Sequence, residues 1–148
     1  MKENIVATKL IDRVREHCHL YGMDEVFKIV QPPVGGGIQI DDNNTRDLFE
    51  DYTSLTSEQV LASIEFYRAH GQDYDLENLS WSEQFLANCC DDTLRAKLDE
   101  RMDRHSELER GGPIYFYEMM EAIMTMTTEA ATLMKEKLRT LTMQDFAG

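Results

Sequence analysis

Gly111-Gly112-Pro113 stands directly before Ile114-Tyr115-Phe116-Tyr117-Glu118-Met119-Met120, a break followed at once by a segment that is apolar on almost every side. Proline at the first helical position sacrifices no hydrogen bond, and two preceding glycines let the chain turn sharply into that start. The pattern predicts a helix over 113–126. After its start the only polar residues are Glu118, Glu121 and Thr125, at i, i+3 and i+7 on one narrow stripe. Tyr115, Phe116, Tyr117, Met119, Met120, Ile123 and Met124 are spread over the rest. So oily a helix has to be wrapped by other helices or by a partner. These seven residues are therefore the candidate core and assembly helix, rich in the aromatic and methionine types that concentrate at interface centres.

The chain's 148 residues, 42% of them hydrophobic, suffice for one compact domain or two small helical lobes. Three cysteines, Cys18, Cys89 and Cys90, make a poor disulfide framework and point to a reducing compartment. No apolar run approaches the roughly 20 residues of a membrane span, and Met1 to Arg15 lack the apolar block of a secretory signal. The expectation is a soluble, intracellular protein with no membrane partner. The formal charge of -13 is spread evenly, with 7 basic and 13 acidic residues up to position 74 and 8 and 15 after it. Such a field opposes approach to phosphate backbones, and no basic cluster offsets it.

Along the chain, Ile5, Leu10, Ile11, Val14 and Cys18 mark an amphipathic first helix that stops near Tyr21-Gly22. A short helix is predicted over 24–29, before Gln31-Pro32-Pro33-Val34-Gly35-Gly36-Gly37 interrupts any regular element. Ile38-Gln39-Ile40 reads as loop because one strand-like triplet has nothing to pair with, and a helical turn follows at 47–51. Thr56 and Gln59 form a capping pair for a helix with Val60, Leu61, Ile64 and Tyr67 in one stripe and Gly71 at its end. Another helix is expected from about 78–80 to 89–90, with Trp81, Phe85, Leu86 and Cys89 on its buried side. Asp91 and Asp92 open a surface helix over 93–105 with Leu94, Leu98 and Met102 inward. A last helix, capped by Thr127 or Thr128, turns Ala130, Ala131, Met134, Leu138 and Leu141 to one side. The sum is an all-α bundle of about six to seven helices, with no sheet.

Candidate chemistry is sparse. Acidity, nine methionines and the stretch Asp73-Tyr74-Asp75-Leu76-Glu77-Asn78 imitate a calcium sensor. Yet counting from Asp73 puts Asn78 and Gln84 where such a loop needs glycine and glutamate, and counting from Asp41 gives Arg46 and Tyr52. The acids read as caps and solvated turns. His17-Cys18-His19 and Cys89-Cys90 cannot converge on a metal from consecutive helical positions. Cys18 and Cys89 fit core stripes, whereas Cys90 is expected to be partly exposed and modestly reactive. No nucleophile elbow, phosphate loop or His-Glu-x-x-His spacing is present. Glu118 and Glu121 resemble half of a carboxylate metal site in a bundle, but the Glu-x-x-His half is missing, so a solvent-facing stripe or acids meeting Arg or Lys from a neighbour fits better. No catalytic residue, cofactor or metal is assigned.

In their order, Trp81-Ser82-Glu83-Gln84-Phe85-Leu86, the charged helix Thr93-Leu94-Arg95-Ala96-Lys97-Leu98-Asp99-Glu100, Gly111-Gly112-Pro113 opening an apolar helix, and Glu129-Ala130-Ala131 leading to Leu138-Arg139-Thr140-Leu141 and Phe146-Ala147-Gly148 resemble the gag polypeptide of copia-type LTR retrotransposons. The resemblance covers roughly 55–148. It implies a non-enzymatic, all-α capsid subunit that self-associates into virus-like particles in the cytoplasm and packages the element's RNA. It also implies a division into an N-terminal helical arm (1–30), a Pro/Gly-rich and acidic linker (31–54) and the capsid-like domain (55–148). The Cys-x-x-Cys-x-x-x-x-His-x-x-x-x-Cys knuckle often found in such polyproteins is absent, as is a basic tail, so RNA is expected only through a region not present in this chain. The rival expectation is an intracellular adaptor that binds a partner helix in a Met- and aromatic-rich groove.

Overall fold

The computed structural model describes residues 2–31, 44–90 and 92–124 together with residue 136. Ile38 to Ile40, the Asp91 cap and the last helix expected after Thr127 or Thr128 lie outside the described residues. Within them the chain is an all-α bundle of six helices: α1 (Lys2–Leu20), α2 (Leu48–Asp51), α3 (Ser57–His70), α4 (Asp73–Asn88), α5 (Asp92–Met102) and α6 (Gly112–Met124). None of them is long and apolar enough to cross a membrane.

Local chemistry explains most boundaries. Thr56 Oγ1 accepts from the Gln59 N–H while Gln59 Oε1 accepts from the Thr56 N–H, so α3 opens on a reciprocal capping box. α1 closes at Gly22, which takes a positive φ of 71° while its N–H bonds to His19 O and the Met23 N–H reaches Cys18 O. That is the left-handed helix stop glycine favours. Asp47 caps the single turn of α2 through the Phe49 N–H.

Two expectations change in the N-terminal third. The predicted helix over 24–29 is a 3-10 turn at Asp24–Phe27 that runs straight into a strand, β1 (Lys28–Val30). β1 pairs antiparallel with β2 (Thr45–Asp47), in the register Lys28 to Asp47, Ile29 to Arg46 and Val30 to Thr45, so a two-stranded ribbon exists where no sheet was expected. Its partner sequence, Thr-Arg-Asp, carries no strand signature. The ribbon persists because the helical body holds it: Ser63 Oγ accepts from the Val30 N–H, and the Tyr67 hydroxyl lies 2.9 Å from Glu25 O and 2.8 Å from Lys28 O, donating to one or the other.

α6 is the axis. α3, α4, α5 and the 3-10 turn at Asp24–Phe27 all pack on it, and ten of its thirteen residues are buried. Phe116 centres an aromatic cluster, with ring centroids 5.1 Å from Phe49, 6.2 Å from Phe27 and 6.2 Å from Tyr52, each edge-on. Phe27 stacks on Phe49 at 4.7 Å. Edge-to-face pairs add about 0.5–1.5 kcal/mol each beyond their buried area. One continuous core thus takes Leu10, Val14 and Phe27 from 1–30, Leu48 and Phe49 from 31–54, and Ile64, Phe85 and Phe116 from 55–124.

The double glycine serves proximity and not the sharp turn expected of it, because neither Gly111 nor Gly112 has a positive φ. A Cβ at Gly112 would overlap the Ser82 side chain and lie 3.1 Å from the Phe27 ring, and one at Gly111 would lie 3.0 Å from Leu79. Close approach at α4 also explains a second correction. α4 starts at Asp73, so the acidic stretch is helical, with Asp75 accepting from the Gln72 N–H. Its buried face carries Leu79, Ser82, Phe85 and Leu86, while Trp81 is 43% exposed. A helix contact this tight admits serine and excludes indole.

Gly112→Ala should therefore cost about 1–3 kcal/mol by overpacking, read as a lower urea midpoint. A cost under about 0.5 kcal/mol, the range of ordinary surface changes, would contradict the contact with Ser82.

Candidate functional site

α6 sorts the seven residues of the assembly set. Tyr115, Phe116, Met119, Met120 and Ile123 are buried; Tyr117 is half-buried, and Met124 is 50% exposed. Tyr117, Glu121 and Met124 follow at i, i+4 and i+7 and so share one edge of the helix. With Tyr52 and Thr53 after α2 and Arg101 on α5, they and Met120 line a largely apolar groove of about 410 Å³. Burial pushes the Tyr117 hydroxyl up, reinforced by the carboxylates of Glu121, Glu118 and Glu58. Burial alone does the same to Tyr52. The phenols in the groove are thus neutral donors at physiological pH.

Behind the groove runs a charged seam. Arg101 Nη1 donates to Glu118 Oε2 at 3.2 Å and to Glu121 Oε2 at 3.4 Å, joining α5 to α6. The Glu118 carboxylate is buried, and His105 Nε2 lies 3.6 Å from its other oxygen, too far for a hydrogen bond. The two acids meet an arginine from a neighbouring helix, and the stripe is not solvent-facing at Glu118. A buried carboxylate bonded to a guanidinium from the facing helix is held in place by that charge-assisted bond. Among the described residues no three His, Cys, Asp or Glu side chains are placed to hold a metal ion.

The thiols are equally committed. Cys18, Cys89 and Cys90 are all buried, which corrects the expectation of a partly exposed, reactive Cys90. Cys90 Sγ donates to Leu86 O at 3.3 Å and lies 4.0 Å from the Tyr115 hydroxyl. Cys90 lies beyond the end of α4, and its sulfur is buried there beside Tyr115. Burial, helped by the Asp24 charge, pushes the Cys18 thiol far above the range in which it reacts.

A second cleft, polar and about 380 Å³, lies where α4 and α5 meet the start of α6, and Glu83, Arg95, Asp99, Arg110 and Tyr115 are among its lining. Its two acids and two guanidiniums balance. Burial pushes the Glu83 carboxyl up, opposed by the charges of Arg110 and Arg68. On the far side of α4, Asn78 Nδ2 donates to Gly22 O at 3.1 Å, tying α4 to the end of α1. Leu20, two residues before Gly22, and Tyr74 and Trp81, four before and three after Asn78 on α4, are exposed at 69%, 57% and 43%. Tyr74 and Trp81 lie seven residues apart on one helix face.

Compared with protein-family models, with curated proteins and with solved structures, the chain matches none of them. Sequence reasoning missed Tyr52 and Arg101 as members of the groove and Leu20, Tyr74 and Trp81 as a surface group. Charge pairing between α5 and α6 had a signal, two acids one turn apart on an apolar helix. The apolar group had none, because its members come from two helices.

Glu118→Gln should cost about 1.5–3 kcal/mol, since a buried charge-assisted bond is lost, whereas Glu121→Gln at the exposed end of the seam should cost under about 1 kcal/mol. Chemical denaturation of both variants checks the order. Glu83 gives a pH signature. Its carboxyl binds a proton more tightly folded than unfolded, so ionising it lowers stability as pH rises through the unfolded value of about 4.5 to the raised folded value. Glu83→Gln should accordingly stabilise the protein at neutral pH and leave it unchanged well below that window, which denaturation at both pH values reads out.

Proposed function

We propose that this chain is a structural, non-enzymatic protein that self-associates, of the gag capsid kind that residues 55–148 resemble, working within cytoplasmic particles. The carrying observation is the exposure of Leu20, Tyr74 and Trp81, which flank in sequence the residues of the Asn78 to Gly22 bond. Apolar residues scattered singly on a surface need no explanation, but three large ones within four residues of the two ends of one inter-element bond fit a contact with a second copy. Such a patch is small. Lattices are built from many weak, symmetric contacts of that size.

The chemistry supports the same reading. The thiols are buried, and the α6 carboxylates are bonded to Arg101, so these groups serve packing. With a charge of -13 on each copy, association works against repulsion, and RNA is held by a region outside this chain. The groove beside α6, lined by Tyr52, Tyr117, Met120 and Met124, favours a second reading, an adaptor for a partner helix, which requires a stable monomer.

Sedimentation over about a hundredfold range of concentration separates the two. Larger species should appear as concentration rises, and more of them at about 0.5 M than at about 0.05 M salt, where repulsion between copies is less screened. Tyr74→Glu should weaken association about tenfold or more without moving the unfolding midpoint, because the side chain is exposed. A monomer throughout would overturn the proposal.

A further inference from the structure

Four charged side chains line the polar cleft where α4 and α5 meet the start of α6: Glu83, Arg95, Asp99 and Arg110. We propose that this cleft binds a small zwitterion, a free amino acid or short peptide, with its carboxylate on Arg95 and Arg110 and its ammonium on Glu83 and Asp99. The site does not depend on self-association.

Three observations carry it. First, the four charges are not spent on one another. Arg95 and Asp99 stand one turn apart on α5, yet among the described residues neither side chain makes a hydrogen bond or ion pair. The Glu83 carboxylate makes none either, and the charges of Arg110 and Arg68 act on it without offsetting its burial. Arg110 Nε is buried with no hydrogen-bond partner, and the ion pair of Arg110 with Asp103 is stretched to 4.0 Å. Arg68, the other guanidinium acting on Glu83, is committed to Arg110 O at 2.8 Å. A buried donor without an acceptor costs stability, and an oxygen supplied by a ligand removes that cost.

Second, the signs select the ligand. An anion drawn to the two guanidiniums meets two carboxylates, and a cation drawn to the carboxylates meets two guanidiniums, whereas a molecule with both charges finds a complement for each. Having no net charge, it also escapes the repulsion that a protein of charge -13 exerts on anions. Third, the dimensions suit it. At about 380 Å³ the cleft is at the small end of ligand sites, and Ala87, Met102 and Tyr115 give it apolar wall for a short side chain. Arg95, Asp99 and Met102 follow at i, i+4 and i+7, so α5 alone presents a cation, an anion and an apolar group along one edge.

Amide-resolved NMR titration of the full-length chain with L-alanyl-L-alanine tests the assignment, with the N-acetylated dipeptide and the dipeptide amide as controls that each lack one charge. The dipeptide should shift the amides of 83–88, 95–102 and 110–115 and saturate in the low millimolar range. Each control should bind about tenfold or more weaker. Arg95→Gln should shrink the preference for the dipeptide over its amide by about fivefold or more, and Asp99→Asn the preference over the N-acetylated form. Both side chains are exposed, so neither substitution should move the unfolding midpoint. L-alanine, titrated in parallel, separates the two sources. Saturation by it as well assigns the site to free amino acids and saturation by the dipeptide alone assigns it to short peptides, and either supports the proposal. No saturation by either up to about 50 mM overturns it. So does a control that binds as tightly as the dipeptide, which would make the cleft a site for a plain anion or a plain cation, and so do preferences that both variants leave unchanged.

Discussion

Everything in this fold rests on how close α6 lies to α4. Glycine at 112 leaves only the depth of a Ser82 side chain between the two backbones, and that closeness brings Phe116 within edge-on reach of Phe27, Phe49 and Tyr52. Dispersion falls off so steeply that a gap of a fraction of an ångström forfeits much of each contact. The N-terminal third therefore joins the core through aromatic rings that only this spacing aligns. Burying a side chain such as Phe116 is worth about 1.5–3 kcal/mol, and its neighbours multiply that gain.

Charge is organised around the same helix. The chain has 15 basic residues for 28 acidic ones, and several of the basic side chains are spent inside the fold. Arg101 serves Glu118 and Glu121, Arg15 bonds Asp47 while its guanidinium lies 5.7 Å from the centre of the Phe49 ring, Arg46 meets Asp51, and Arg68 donates to Arg110 O. Guanidinium suits these places because its planar fork satisfies two acceptors and stacks on a ring at once. The surface that remains is strongly acidic. The self-association proposed for such a molecule has to use apolar contacts, which is why that proposal rests on Leu20, Tyr74 and Trp81 and not on an ion pair.

Much of the helical framework was legible in the residues themselves. The Thr56-Gln59 box, the Gly22 and Gly71 stops, the Asp47 turn and the Leu94-Leu98-Met102 stripe are local signals, each complete within a few residues. The β1–β2 ribbon was not legible, because Thr45-Arg46-Asp47 is a strand only by virtue of Lys28–Val30 and of the bonds that Ser63 and Tyr67 make to that edge. Trp81 was misplaced for a related reason. Hydrophobicity alone assigns an indole to the core, while the tight contact at Gly112 admits only a small side chain there.

Sequence by itself determined the class: periodicity, caps and composition prescribe helices, and an apolar segment at 113–126 prescribes that one of them be surrounded. These are short-range rules, set by backbone geometry and by the need to keep oil from water. Tertiary structure alone decided which faces meet, that Glu118 shares Arg101 with Glu121, that Cys90 lies under Tyr115, and that Asn78 of α4 bonds to Gly22 at the end of α1. Those facts depend on pairs of residues tens of positions apart, and nothing local to either partner encodes the distance between them.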